Sequence, residues 1–406
     1  MMRLPWWVGG PRGAVQLVSL LAAAVLALLA ALAYSDANGA WQNGVRLEEA
    51  RSSALQDQVR TVYGDEAPPT VRIILDEQIA AQLSRIDPDN GLARTQQMAS
   101  ANAAAAMRAA YMKWQPHSLA ADRQYRTLSG GSDVIARLRV LRTGEAAHGP
   151  QPDPAAQVRT GDAAAVRGGM FGAGAIVLSL IPALLAMRRR GRHRAETAAA
   201  ELIPQPSQEA DGRRRRAAVI ALALWLLAAV VPMSQLVLGA EEQRSQGASA
   251  RLAAVLATDI AASSARAQFA AQAAQTAREL GVRAEGRRMD AAPGTAAEER
   301  AVADAEDRAA TAAEAIVATM ARQPAAPDRL DPRLTVALSS EPVDWPAGLA
   351  AEQAEADRSN QWGRRSNGAV IVGALLAMAV YMTDLIRERI PDRGAVRVSP
   401  DSSQSR

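Results

Sequence analysis

Four long apolar stretches interrupt an otherwise polar, alanine-rich chain. They cover residues 14–34, 170–187, 217–239 and 368–386. Each stretch is long enough to cross a hydrocarbon core of about 30 Å as an α-helix. The one charged side chain among them, Asp384, lies close to the end of the fourth stretch, where it can reach the lipid headgroups. The pattern therefore predicts four transmembrane helices.

Arginine is concentrated beside these stretches. The connection at residues 188–216 carries nine arginines against four acidic residues, and the nine are Arg188, Arg189, Arg190, Arg192, Arg194, Arg213, Arg214, Arg215 and Arg216. Arginine and lysine near span ends are retained on the cytoplasmic side, so these residues form the topology signal of the chain. They predict a multi-pass protein of the bacterial inner membrane with both termini in the cytoplasm.

The topology signal assigns a side of the membrane to every other segment. Residues 1–13 form a cytoplasmic N-terminus, and residues 387–406 form a polar cytoplasmic tail that we expect to be disordered. Residues 35–169 and 240–367 are extracytoplasmic. Both return to the membrane through a glycine and arginine stretch, which favours an internal repeat of span, domain and span, although convergent membrane-flanking chemistry would give the same pattern.

The first span also resembles a secretory signal, because Ala31-Leu32-Ala33 fits the small-residue pattern of a signal-peptidase site. Its apolar stretch exceeds the usual signal core of about 7 to 15 residues. Trp6 and Trp7 precede it at the position of an interfacial belt. We therefore expect an uncleaved anchor, and cleavage would leave the rest of the topology unchanged.

The first extracytoplasmic segment has the hydrophobic period of α-helices. Apolar residues recur at steps of three and four at Val71, Leu75, Ile79, Leu83 and Ile86. A further helix is predicted from about residue 92 to Trp114, and another after Gly130-Gly131. The alternation of β-strands is essentially absent. An antiparallel helical bundle is the expected fold, with its bulky core supplied by Tyr63, Tyr111, Trp114 and Tyr125.

The second extracytoplasmic segment is rich in alanine, the strongest helix former. Thr295 and Glu298 fit a capping box at the start of a helix, and Asp304 and Arg308 have the spacing of an ion pair within it. The aromatic residues of the segment are Phe269, Trp345 and Trp362. Since a buried alanine removes little apolar area from water, we expect a thin core that is either mobile or stabilised by a neighbouring chain.

Small residues recur at helical spacing in and beside the spans. Such ladders allow close approach of two backbones and are candidate helix-packing positions, although an alanine-rich chain also produces them by chance. They are Ala23, Ala27, Ala31, Gly168, Gly172, Ala369, Gly373 and Ala377.

Sequence motifs for catalysis, metal binding or cofactor binding do not stand out. The chain has no cysteine, and His117, His148 and His193 have neither the spacing nor the carboxylate partners of a metal site. Serine-nucleophile motifs and glycine-rich phosphate loops do not occur. We therefore expect no catalytic residue, no metal and no cofactor, and the protein is predicted not to be an enzyme. The basic charge is explained by topology, so no nucleic-acid partner is expected.

Part of the first half resembles a group of known proteins. Trp41 to Leu55, the run Tyr63-Gly64-Asp65-Glu66-Ala67-Pro68, and Gly161-Asp162 look like poorly characterised bacterial membrane proteins that hold a helical external domain between two spans. The resemblance covers mainly residues 14 to 187 and implies no activity. The layout is also similar to the external four-helix bundles of bacterial sensory receptors, from which this chain departs because an output domain is missing.

These observations lead to one expectation for function and two alternatives. The fold class is an all-α membrane protein with four transmembrane helices and two extracytoplasmic helical-bundle domains. Its expected role is that of a non-enzymatic scaffold or accessory subunit of an envelope complex, with membrane lipids and either a protein partner or a second copy as partners. The first alternative is an extracytoplasmic ligand sensor that signals through its helices to a separate cytoplasmic partner. A subunit of a transport system is the second.

Overall fold

The computed structural model describes residues 11–146, 153–198, 208–322 and 344–389. Their α-helices are α1 (Pro11–Arg60), α2 (Ala67–Leu83), α3 (Gly91–Trp114), α4 (Val134–Ala146), α5 (Pro154–Ala198), α6 (Gln208–Asp290), α7 (Ala296–Arg322) and α8 (Trp345–Arg389). A π-helical segment, Thr61–Glu66, joins α1 to α2, and a 3₁₀ turn, Arg123–Tyr125, precedes α4. Across these ranges the chain forms no β-strand, only an isolated bridge between Arg126 and Ser132. The predicted all-α class is confirmed.

Two continuous helical regions are long and apolar enough to cross a membrane. They are Leu17–Leu83 and Pro154–Ile181, and they contain most of the first and second predicted spans. The third and fourth predicted spans lie within α6 and α8, and their membrane crossing stays a prediction. The nine topology arginines belong to helical backbone in α5 and α6, whereas most of the N-terminus and of the tail lies outside the described residues.

The helices group into two compact units. The first unit comprises Met1–Gly44, Ala155–Gly247 and Ala354–Arg406, and the second comprises Val45–Pro154 and Ala248–Gln353. Each unit therefore contains residues from both halves of the chain. This grouping differs from the expectation of two separate extracytoplasmic bundles that follow one another in the sequence.

In the first unit, small side chains pack against aromatic side chains in one buried cluster. Tyr34, Ala37 and Trp41 on α1 form a buried cluster with Ala164 on α5 and Ala240 on α6. The buried α1 positions are three and four residues apart, which places them on one face of the helix. This helix face lets α1 pack against two helices at once.

The second unit has one core that both segments build. Tyr63 and Tyr125 from the first segment lie in the same cluster as Phe269, Ala273 and Met320 from the second. The rings of Tyr63 and Phe269 are 5.8 Å apart between centroids and tilted by 56°, a separation at which aromatic pairs attract each other. The alanine-rich helices thus pack against larger side chains from the first segment of the same chain, and the expectation of a mobile core or of support from a neighbouring chain stays a prediction.

A second cluster in this unit confirms the predicted face of α2. Leu75, Ile79 and Leu83 are buried there against α7 residues that include Val302 and Ala309. Asn90 precedes α3 and caps it, because its side chain accepts a hydrogen bond from the N–H of Ala93 at 2.9 Å. The helix predicted to end at Trp114 also ends there.

Three local predictions about side chains are wrong. Trp114 is 77% exposed rather than in the core, because it is the last residue of α3, and Lys113 lies 5.5 Å from its ring centroid. The hydroxyl of Thr295 donates to Glu299 rather than making the capping contact with Glu298. Asp304 pairs with Arg288 on α6 at 2.9 Å, a contact between helices that the spacing within α7 could not reveal.

Candidate functional site

Two buried charges of the second unit, Glu66 and Arg137, form an ion pair. Arg137 Nη2 lies 2.7 Å from Glu66 Oε1, and Arg137 Nε donates to Oε2 of the same carboxylate at 3.0 Å. The backbone N–H of Leu119 donates to Oε2 at 2.9 Å, and the Arg137 guanidinium lies 5.8 Å from the ring centroid of Tyr125. Glu66 is only 2% exposed. The carboxylate is therefore both neutralised and hydrogen-bonded, as a buried charge requires.

The π-helical segment positions Glu66. Pro68 and Pro69 follow it and have no N–H to donate to the preceding turn. The N–H of Ala67 instead donates to the carbonyl of Val62, five residues back, and the hydroxyl of Thr70 donates to the carbonyl of Glu66 at 2.6 Å. The wider turn thus satisfies the backbone where the prolines prevent the α-helical pattern.

The Glu66–Arg137 pair is suited to a structural role. Burial lowers the pKa of the Arg137 guanidinium, but its hydrogen bond with Glu66 and the charge of that carboxylate outweigh the burial and raise this pKa above its ordinary value. A guanidinium held in this way does not release its proton at physiological pH. The pair therefore joins α4 to the π-helical segment.

A second polar contact joins three helices of the first unit. The indole N–H of Trp41 on α1 donates to Asp162 Oδ1 on α5 at 3.2 Å. Arg244 on α6 pairs with the same carboxylate, with Nε 3.0 Å from Oδ1 and Nη2 donating to Oδ2 at 3.2 Å. We call Trp41, Asp162 and Arg244 the three-helix contact. The sequence pattern drew attention to Trp41 and Asp162 but not to Arg244, because an arginine shortly after a predicted span carries no signal of its partner.

Gly161 makes room for the three-helix contact. A Cβ atom at this position would lie 2.5 Å from Trp41 Nε1 and 2.6 Å from Cδ1 of the same ring. Real Cβ atoms do not approach other atoms this closely, so only glycine lets the indole reach the neighbouring Asp162.

The predicted helix-packing residues occupy different environments. Gly168 is buried, and an added Cβ would lie 3.1 Å from the ring of Tyr34. Gly172 faces the sulfur of Met233, and Gly373 faces Val231, where an added Cβ would lie 2.9 Å from a methyl group. The alanines range from buried to exposed: Ala23 is buried, Ala27, Ala31 and Ala369 are half-buried, and Ala377 is exposed.

A small cleft opens between α2, α3 and the segment before α4. Thr70, Arg108, Arg123, Arg126 and Ser132 are among the residues that line it. Its volume of about 10 Å³ holds about one water molecule. Arg108 Nη1 lies 2.6 Å from Glu77 Oε1, and Arg126 pairs with the same carboxylate. These charges connect α2, α3 and the loop, and the cleft is too small to enclose an organic ligand.

Three carboxyl groups of the second unit bind protons more tightly than usual. Burial raises the pKa of Asp259 to about 6, and Asp259 Oδ1 has no hydrogen-bond partner among the described residues. Burial also raises the pKa of Asp76 and of Glu306, although nearby arginines partly oppose the shift. These groups make the stability of the unit depend on pH.

The predicted histidines do not come together in the described part of the chain. His117 is exposed, His148 lies outside the described residues, and His193 belongs to the helical backbone of α5. Among the described residues, no group of three or more histidine, aspartate or glutamate side chains could hold a metal ion.

The chain matches no known protein family, no curated protein and no solved structure.

Proposed function

We propose that this protein is a membrane-anchored, non-enzymatic scaffold or accessory subunit of a bacterial envelope complex. One observation carries the proposal: the two segments between the predicted spans build a single shared core, in which Tyr63 packs on Phe269. A core shared by distant segments fixes several helices as one body. Such a body can present a surface of constant shape to a partner.

The chemistry of the enclosed polar groups supports a structural role. The Glu66–Arg137 pair joins the π-helical segment to α4, and the three-helix contact joins α1, α5 and α6. The cleft beside Arg108 holds about one water molecule, which leaves no room for a substrate. Binding through an outer surface is the activity that remains compatible with these sites.

Helix α3 offers an accessible surface for a partner protein. Only Ala93 and Ala104 of this helix are buried. Met98, Met112 and Trp114 are large apolar side chains that are more than half exposed. Methionine and tryptophan are enriched where proteins bind one another, so we expect the partner on this side of the second unit.

Site-specific cross-linking tests the proposal. We would introduce Asn102→Cys on the exposed side of α3, attach a membrane-impermeant photo-crosslinker to intact cells, and identify the captured protein. Ser264→Cys is the matched control, since it places the same label at an exposed position of another helix, α6. The native chain contains no cysteine, so only the introduced residue is labelled. Reproducible capture of one envelope protein from position 102 but not from 264 is expected. Capture of nothing at either position despite efficient labelling would contradict the scaffold proposal.

A ligand sensor is the second candidate, and the continuity of the helices favours it. Helix α6 runs from Gln208 to Asp290 with Pro232 inside it, and continuous helices can carry a displacement from one segment to another. The three-helix contact would make α1, α5 and α6 move together. A sensor gains thermal stability with a small molecule, whereas a scaffold gains it only with a protein, so thermal unfolding with each class of additive separates the two.

A further inference from the structure

Some arginines of the first unit pair with carboxylates, and two arginines of α8 do not. Arg244 pairs with Asp162, and Arg358 pairs with Glu355 one helical turn away. In the described part of the chain, neither Arg364 nor Arg365 forms an ion pair with a carboxylate, and both are exposed. These two unpaired residues are the arginines of α8 that immediately precede the apolar stretch 368–386.

Arg365, one of the two unpaired arginines, lies beside an aromatic ring. The guanidinium carbon of Arg365 lies 4.9 Å from the ring centroid of Trp362, which places it over the face of the indole. This contact restricts the guanidinium but leaves the N–H groups along its edge available for hydrogen bonds. We call Trp362, Arg364 and Arg365 the α8 interfacial patch.

An acidic residue of α6 lies close to this patch without pairing with its arginines. Glu242 on α6 lies against the backbone of Gly363, where an added Cβ would be 2.8 Å from its Oε1. Its carboxylate nevertheless pairs with neither Arg364 nor Arg365. Two positive charges therefore remain uncompensated about 5 Å along the helix from the first apolar residue, given a rise of roughly 1.5 Å per residue.

The retention of arginine on the cytoplasmic side does not explain the positive charge of Arg364 and Arg365. Arginine near a span end is favoured on the cytoplasmic side, but α8 carries Arg364 and Arg365 at the extracytoplasmic end of the fourth predicted span. Tryptophan beside a span lies at the level of the lipid headgroups. Arginine at that level meets phosphate groups, whose oxygens match the planar fork of its N–H donors.

We propose that the α8 interfacial patch binds the phosphate group of a phospholipid in the outer leaflet of the membrane. Arg364 and Arg365 donate hydrogen bonds to the phosphate oxygens, and Trp362 lies between the headgroup and the acyl chains. The inference rests on the membrane placement in the proposed function. It adds a specific lipid contact that the scaffold role does not require.

Native mass spectrometry of the full chain tests this inference. The purified chain in detergent would be titrated with phosphatidylglycerol, with phosphatidylcholine and with a phosphate-free diglucosyl lipid of matched acyl chains. We expect both phospholipids to bind more tightly than the glycolipid. Since each arginine near an anionic surface contributes about fivefold to the binding constant, the double variant Arg364→Gln/Arg365→Gln should lose phosphatidylglycerol binding by at least about fivefold.

Arg358→Gln is the matched control, because it removes a paired arginine of the same helix and should leave lipid binding unchanged. Equal binding of the glycolipid and the phospholipids, or an unaffected double variant, would overturn the inference. Competition by millimolar inorganic phosphate would also overturn it, because the site would then serve a soluble anion. Release of the chain from membranes by alkaline carbonate would contradict the membrane placement itself, whereas lost lipid selectivity in an inserted chain contradicts only this inference.

Discussion

A single buried carboxylate shows how a side chain can matter for stability without taking part in chemistry. Glu66 accepts hydrogen bonds from Arg137 and from the backbone of Leu119. A buried ion pair gains little over an apolar pair of similar shape, because both charges lose their hydration. Removing only one partner is costly, since the remaining charge stays buried without compensation. The pair therefore specifies how α4 meets the π-helical segment.

The first prediction follows from this asymmetry. Glu66→Ala leaves Arg137 buried and unpaired, and should lower the free energy of unfolding by about 3–5 kcal/mol in denaturant titrations. Glu355→Ala leaves Arg358 without its carboxylate partner, but Arg358 is exposed to water, so the substitution should cost less than about 1 kcal/mol. The double variant Glu66→Leu/Arg137→Met should recover much of the loss. Equal effects of the two single variants would show that the pair does not act as a buried contact.

Asp259 carries the second prediction, which concerns pH. Its native pKa of about 6 exceeds its ordinary value of 3.8, so the folded state binds a proton that the unfolded state releases. The contribution of this residue to stability is therefore present at low pH and is lost as the pH rises towards about 6. Asp259→Asn should raise the melting temperature at pH 7 and flatten its dependence on pH over this range.

Asp57→Asn is the control for Asp259, because Asp57 lies in the same unit and is exposed. This variant should leave both the melting temperature and its pH dependence unchanged. If Asp259→Asn behaves like Asp57→Asn, the carboxyl group of Asp259 is not desolvated in the folded chain.

At the scale of elements, helices approach each other closely at positions where glycine leaves room for a side chain of the neighbouring helix. Gly161→Ala places a Cβ within 2.6 Å of the Trp41 ring, so the ring must move away from Asp162. The third prediction is a loss of about 1–3 kcal/mol in stability, as for other overpacked positions. Gly39→Ala has no atom within 4 Å of the added Cβ, and it should be neutral or stabilise by up to about 1 kcal/mol. A similar melting temperature for both variants would argue against the three-helix contact.

The helices themselves could be predicted because their signals are local. The apolar period of α2 and the glycines before α4 mark these elements in the sequence, and the structure confirms them. Contacts between elements were harder to predict from the sequence. Asp304 has a suitable partner four residues away in Arg308, yet it binds Arg288 on another helix. Trp114 was wrongly predicted to lie in the core, because the hydrophobic period does not show where a helix extends beyond the helices that pack against it.

The candidate site shows the same division. Trp41, Gly161 and Asp162 drew attention in the sequence, but nothing there indicated that Arg244 completes their contact. The importance of Glu66 also escaped sequence analysis, because a buried glutamate and an exposed one look alike until the arginine opposite is known. Polar contacts between distant residues leave no periodic signal in a single sequence.

At the scale of the whole molecule, the two segments depend on each other for their core. The second segment provides many alanines and a single buried aromatic ring, Phe269, among its described residues, whereas the first provides Tyr63, Tyr125 and several large aliphatic side chains. Burial of large apolar area drives folding, and alanine supplies little of it. A bundle made from the second segment alone would therefore lack the stabilisation that the shared core gives.

The fourth prediction tests this dependence by separating the segments. Residues 248–322, purified alone, should unfold without a cooperative transition, because the partner side chains of Phe269 are missing. Adding residues 45–146 as a second polypeptide should restore a cooperative transition monitored by circular dichroism. The same mixture with Phe269→Ala should regain less stability, by about 3–5 kcal/mol, since this substitution removes a buried ring from the core. Cooperative unfolding of residues 248–322 alone as a monomer would mean that the second segment has a sufficient core of its own, and the shared core would then be an association between two independent domains.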